Sequence, residues 1–374
     1  MYSQQEIDDA VASGVISAEA ADALRAHIAS QRSTPIPDEE QFRLITGFND
    51  IFVSIAAAIL LFAVGWIGQS IGQASGLVIS EHGESGPSLL APLAIAATSW
   101  GLALFFTAKR RMALPSILLL LAFVGGVFAT SAFLLVQIIG PDRFQGQADL
   151  LGATVGGASA AIAAAAAWIH WRRFHVPITI AAGAAAVAGL FLAIVIGILQ
   201  PGDSETAKNI ILSFVLLLGV GVFLFAMWWD SSDRARVTRR SDVAFWLHLL
   251  AAPMIAHPVF ALLGLNNGSV STSEGLIVVG LYLLFGLTAL AVDRRALLVS
   301  ALAYVLYALT ELFKQFGAVE LNIALTALVI GSALLLLSAY WHQARRLIVA
   351  QLPANLQARL PELDRPAMIT QPAA

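Results

Sequence analysis

His248, Pro253, His257 and Pro258 share one apolar stretch, 243–264 (VAFWLHLLAAPMIAHPVFALLG), and Glu311 lies in another, 296–315. Imidazole and carboxyl groups bind and release protons, and ionisable side chains in hydrocarbon are expensive enough to mark functional positions. Pro253 cannot donate to the Leu249 carbonyl, nor Pro258 to that of Met254. Two freed carbonyls beside a mid-helix histidine make a broken-helix site for an ion or solute. The alternative is a proline-kinked helix whose histidines bond neighbouring backbone. His248 and His257 are nine residues apart. On an ideal helix they face opposite sides, about 13 Å apart along the axis, and make a poor metal pair. No metal site is expected. His248 reads as an interfacial, partly wetted side chain.

Glu311 is the only acid well inside an apolar stretch. It follows Arg295 by 16 residues, and His257 follows Arg240 by 17. Both side chains then lie about 24–26 Å from the basic end of their helices. If those helices touch, the two groups can share a proton, which suits proton coupling. The competing reading puts Glu311 near the far surface, paired with Lys314. Tyr307 and Thr310 share a face with Glu311 by helical spacing and are expected to line a cavity. Gln69, Ser99, Tyr304, Asn322 and Thr326 read as inter-helix hydrogen-bonding groups. No H-E-x-x-H, phosphate-binding loop or dinucleotide fingerprint is present. Gly157-Ala158-Ser159 is similar to the nucleophile segment of rhomboid-type intramembrane proteases, but Ala160 stands where those have glycine. The expectation is therefore no enzyme, no catalytic residues and no cofactor.

Membrane helices must position these residues. The chain has 374 residues, 58% hydrophobic and 12% charged, against about 25% charged in soluble domains. A net charge of −3 argues against nucleic-acid binding. No cysteine is present, which excludes disulfides and thiolate chemistry. A membrane helix needs about 20 apolar residues. The stretches that qualify are 51–72, 88–108, 113–139, 150–171, 176–199, 208–229, 243–264, 275–292, 296–315 and 319–341. With both ends placed in the cytoplasm, all of the 21 basic residues except Arg143, Lys208 and Lys314 fall on the cytoplasmic side. One helix more or fewer destroys this pattern. Trp168, Trp171, Trp228, Trp229, Trp246 and Trp341 sit near cytoplasmic helix ends, where an aromatic belt belongs. Trp66 suits the opposite belt, and Trp100, mid-span, reads as a packing residue.

The expected fold class is thus an all-α membrane protein of about ten helices, N-in and C-in. Ten spans divide into five plus five, and an odd-numbered unit duplicates upside down, as in inverted-repeat transporters. Leu89-Leu90-Ala91-Pro92 with Ile95-Ala96, and Leu249-Leu250-Ala251-Ala252-Pro253 with Ile255-Ala256, fall in the second helix of each half. Gly152 and Gly156 form a GxxxG, and Gly183, Gly189 and Gly197 line the next span, for close packing within the chain or a homodimer seam.

Three domains are expected. Residues 1–48 form a cytoplasmic helical hairpin plus an interfacial helix, 49–341 the transmembrane domain, and 342–374 a cytoplasmic tail. In the first, Gly14 ends a helix, Ser17 caps the next, and Val11, Val15, Ile16 and Leu24 seal the hairpin. Phe42, Leu44 and Ile45 lie on the membrane surface. Asn49 and Asp50 cap the first span. No apolar signal-peptide core precedes that span, which is expected to direct insertion itself.

The stretch 11–27 (VASGVISAEAADALRAH), ahead of a series of hydrophobic helices, resembles a group of bacterial integral membrane proteins of unknown function. There a short cytoplasmic helical segment precedes eight to ten spans. That resemblance implies a plasma (bacterial inner) membrane location and brings no activity or site residues. The ten-helix plan with both ends inside is similar, in topology only, to the drug/metabolite transporter superfamily. Two functions stay open. The leading one is secondary, proton-linked transport of a small solute, with His257 and Glu311 as the proton-linked groups, Pro253 and Pro258 opening the helix, and Tyr307 and Thr310 beside them. The other is a non-transporting scaffold or envelope accessory protein that binds a cytoplasmic partner through residues 1–30.

Overall fold

In hydrocarbon every backbone polar group must be satisfied within its own segment, and each long apolar stretch of this chain is a helix. The computed structural model describes residues 10–31, 48–81, 84–144, 146–236, 238–264, 272–315 and 321–363. Contacts divide the chain into residues 44–363 and a smaller unit of 1–43 with 364–374.

In the smaller unit, α1 (Ala18–Gln31) starts at Ser17, whose hydroxyl accepts the Ala20 N–H at 3.1 Å. Gly14 ends the preceding turn at a φ of 73°, in the left-handed region. Ala21 is buried and Val11 and Ile16 are half-buried, while Val15 and Leu24 are 76% and 42% exposed. The start of the first helix, and the interfacial helix with Phe42, Leu44 and Ile45, lie outside the described residues.

The larger unit runs α2 (Phe48–Ala74), β1 (Val78–Glu81), β2 (Glu84–Ser88), α3 (Leu90–Phe106), α4 (Ala113–Ile139), α5 (Ala148–Phe174), α6 (Ile178–Leu199), α7 (Glu205–Ser231), α8 (Arg239–Leu262), α9 (Thr272–Val292), α10 (Ala296–Gln315), α11 (Asn322–Ala339), α12 (Trp341–Ala350) and α13 (Ala354–Gln357). Among the described residues, eight helices are long and apolar enough to cross a membrane. The other two expected spans are shorter apolar helices, Leu90–Phe106 and Leu297–Thr310. Consecutive helices pack on one another through most of the unit, with α2 also on α4, α6 on α8, and α8 on α10. The two sets of five differ here. The first and third helices meet in one set, the second and fourth in the other.

Between α2 and α3 the strands Val78–Glu81 and Glu84–Ser88 pair antiparallel. Gln69 holds the second strand from α2. Its amide donates to the Gly86 carbonyl at 3.0 Å and accepts the Ser88 N–H at 2.8 Å. Gln69→Ala leaves both groups without this partner and is expected to destabilise by about 1–3 kcal/mol. Amide exchange measured by mass spectrometry should rise first at residues 84–88; unchanged exchange there would show that the pairing stands without Gln69.

Asp50 lies in the first turn of α2. Its carboxylate is 3% exposed and accepts the Ala113 N–H at 3.3 Å, at the start of α4. A carboxylate belongs there, where N–H groups and the helix dipole favour negative charge. Small residues join α5 to α6. A Cβ at Gly157 would lie 3.1 Å from Ala193 Cβ, and one at Gly197 3.4 Å from Ala153 Cβ. Gly152 and Gly156 face open space, so the GxxxG pair is not this seam. Trp100 packs against Phe123 and Phe174, with ring centroids 5.0 and 5.1 Å away.

The larger unit does not end with the last apolar helix. It extends to Leu363, because α12, α13 and the residues after them fold back on the loops. Trp341 is 3% exposed and buried within the protein, whereas Trp66, Trp168 and Trp228 are exposed as membrane-belt residues would be.

Candidate functional site

The helix α8 carries two polar clusters at different depths. It runs unbroken through Pro253 and Pro258, so the ladder lacks two donors without the helix splitting. The first cluster centres on Asp230, in the last turn of α7 and fully buried. Arg294, from the α9–α10 loop, donates through Nη2 to Asp230 Oδ1 at 2.6 Å and through Nε to Oδ2 at 3.3 Å. The same Nη2 reaches the Ser241 carbonyl at 3.0 Å. His248 Nε2 donates to Asp230 Oδ2 at 2.9 Å. His248 is therefore not a wetted interfacial side chain. It is fully buried, and its Nδ1 has no hydrogen-bond partner among the described residues.

Asp293 forms a second ionic centre beside the first. Arg236 donates to its Oδ2 at 2.8 Å and to its carbonyl at 3.1 Å. The indole of Trp341 donates to Oδ1 at 2.7 Å, and Arg345 Nε lies 3.8 Å from that oxygen. Arg236 and Asp293 both take left-handed backbone, with φ of 55° and 59°. Such a conformation is sterically costly for a residue with a Cβ and persists where surrounding contacts impose it. Arg345 also donates to the Pro361 carbonyl at 2.7 Å and the Glu362 carbonyl at 3.1 Å. Arg234 donates to the Leu360 carbonyl at 2.8 Å. The last described segment is thereby strapped across the loops.

The other cluster lies nine residues, about 13 Å, further along α8. His257 Nδ1 and the Tyr304 hydroxyl on α10 are 2.7 Å apart. Phe260, fully buried, stacks on the Tyr304 ring at 4.2 Å. His257 and Pro253 are exposed on the protein surface, and Pro258 is buried. This register differs from the equal-depth expectation. The hydrogen bond to His257 makes Tyr304, not Glu311, the residue opposite it. Glu311 stands seven residues, about 10 Å, further along α10; its side chain lies outside the described residues. Thr310 donates to the Leu306 carbonyl at 2.8 Å and bonds Thr326 on α11 at 3.3 Å. Tyr307 is 38% exposed.

The sequence marks Tyr304 as a hydrogen-bonding group without joining it to His257, and the loop arginines only as topology markers. His170 carries no signal of its own beyond its residue type. That ring is fully buried among Trp100, Phe123 and Phe174, with Nδ1 3.3 Å from the Thr179 hydroxyl. Its Nε2 has no hydrogen-bond partner among the described residues. Among the same residues, no group of three or more acidic or histidine side chains is placed to hold a metal ion. The structure is that of a polytopic helical membrane protein. No family model, characterised protein or solved structure matches the chain.

Proposed function

We propose that this multi-pass protein is a secondary transporter of a small solute, linked to protons through His257. One observation carries the reading. His257 is paired with the hydroxyl of Tyr304 across two helices rather than with its own backbone, and it is exposed. An imidazole–phenol pair passes a proton along one hydrogen bond. Pro253 and Pro258 flank it, and Pro253 frees the Leu249 carbonyl as an acceptor for a cation or solute. Glu311, with Tyr307 and Thr310, continues the polar line along α10. The loop arginines support ten spans with both ends in the cytoplasm.

Thermal unfolding of the detergent-purified protein against ions, sugars, amino acids and drugs at several pH values tests this. A ligand that binds only the folded state raises the midpoint with concentration. The expected result is a shift by one compound class that His257→Ala weakens. No shift with any compound would favour the scaffold reading, which the exposed Val15 and Leu24 of the smaller unit support as a partner surface.

A further inference from the structure

We infer that the paired ionic centres at Asp230 and Asp293 form a separable latch, the gate at the basic end of the helices; this rests on the transport reading. The latch joins pieces that also meet through apolar packing, among them Phe223 of α7, Ala252 of α8, Leu290 of α9 and Trp341 of α12. Asp230 belongs to α7, His248 to α8 and Arg294 to the α9–α10 loop, so one carboxylate ties three segments together. Asp293 adds the α7–α8 loop through Arg236 and α12 through Trp341. Both acids face guanidinium groups inside the protein, and both are at most 5% exposed.

Glue alone does not explain ions here. A buried ion pair is commonly no more stabilising than well-packed apolar residues of the same volume. What ions add is a second acceptable state, because separated carboxylate and guanidinium groups hydrate well while a parted apolar seam does not. Two further observations point the same way. His248 Nδ1 and the neighbouring Trp229 Nε1 are buried without hydrogen-bond partners among the described residues, which a wetted, open arrangement would satisfy. Arg236 and Asp293 hold left-handed backbone that parting the cluster would release. His257 and Tyr304 lie on the far side of this latch along α8 and α10.

The natural chain lacks cysteine, so a single reporter needs no background removal. Ala244 lies one turn before His248 and is fully buried. In purified protein carrying Ala244→Cys, a polar maleimide should react slowly. Adding Asp230→Asn should raise the rate at least ten-fold, and the exchange Asp230→Arg with Arg294→Asp should bring it back down. A rate unchanged by Asp230→Asn would overturn the latch. If that variant is not monodisperse, hydrogen exchange on the unaltered protein decides. Amides 230–236 and 293–298 should then open together and faster than 214–222 of the same α7; uniformly slow exchange would overturn the proposal. The ligand screen separates the two claims. A ligand shift without any change in labelling defeats the latch alone. Faster labelling without a ligand shift keeps the separable contact and defeats the transport reading.

Discussion

Replacing Arg294 with leucine is expected to destabilise the folded protein by about 3–5 kcal/mol, because it strands the Asp230 carboxylate in a fully buried position. His248 remains as a hydrogen-bond donor to Oδ2, but Oδ1 loses its 2.6 Å partner. Removing both charges, as Asp230→Leu with Arg294→Leu, should recover most of the loss, since no desolvated charge is then left alone. Denaturant unfolding in detergent, followed by tryptophan fluorescence, reads all three stabilities. A single variant costing under about 1 kcal/mol would mean that water reaches Asp230 and that the centre behaves as a surface pair.

Gly219 on α7 is expected to tolerate no side chain, although it is an ordinary glycine by sequence. A Cβ there would lie 2.8 Å from both the carbonyl carbon and oxygen of Met254. That carbonyl is the one Pro258 leaves without its helical donor, so the neighbouring helix approaches it along bare backbone. Because the obstacle is main chain, rotamer changes do not relieve it. Gly219→Val should cost about 1–3 kcal/mol or more through forced separation of α7 and α8. Gly221→Val on the same helix, with open space around its Cβ, serves as the control. Equal midpoints for the two variants in thermal unfolding would contradict the close approach.

Much of the architecture is legible in the amino-acid order itself. The apolar run 113–139 predicts one span and forms Ala113–Ile139, because such a run between charged loops has no other way to satisfy its backbone. The pairing of Val78–Glu81 with Glu84–Ser88 is not legible, because Val78 and Ile79 are followed by Ser80, Glu81, His82 and Gly83, a loop-like composition. The second strand there is bonded by Gln69, 17 residues before Gly86. The ionic latch is hidden for a different reason. Counting basic residues treats each loop arginine as a wetted anchor, whereas Arg236, Arg294 and Arg345 turn inward onto acids. The sequence does carry a signal for it: Asp230, Asp233 and Asp242 bracket the arginines of one basic loop, and Asp293 directly precedes Arg294. The same assumption misplaces the depth of His257. It sets Arg240 and Arg295 at one depth, while the bond from His257 to Tyr304 puts Glu311 seven residues further along α10.

Proton movement in liposomes tests the central claim most directly. Purified protein is reconstituted with a trapped pH-sensitive dye, and a compound that shifts the unfolding midpoint is added outside. The account predicts compound-driven proton flux above that of empty liposomes. Flux should fall at least ten-fold with His257→Ala and also fall with Tyr304→Phe, which removes the hydroxyl 2.7 Å from the imidazole. Flux no greater than that of empty liposomes, or fully retained by His257→Ala, would contradict proton-linked transport through this pair.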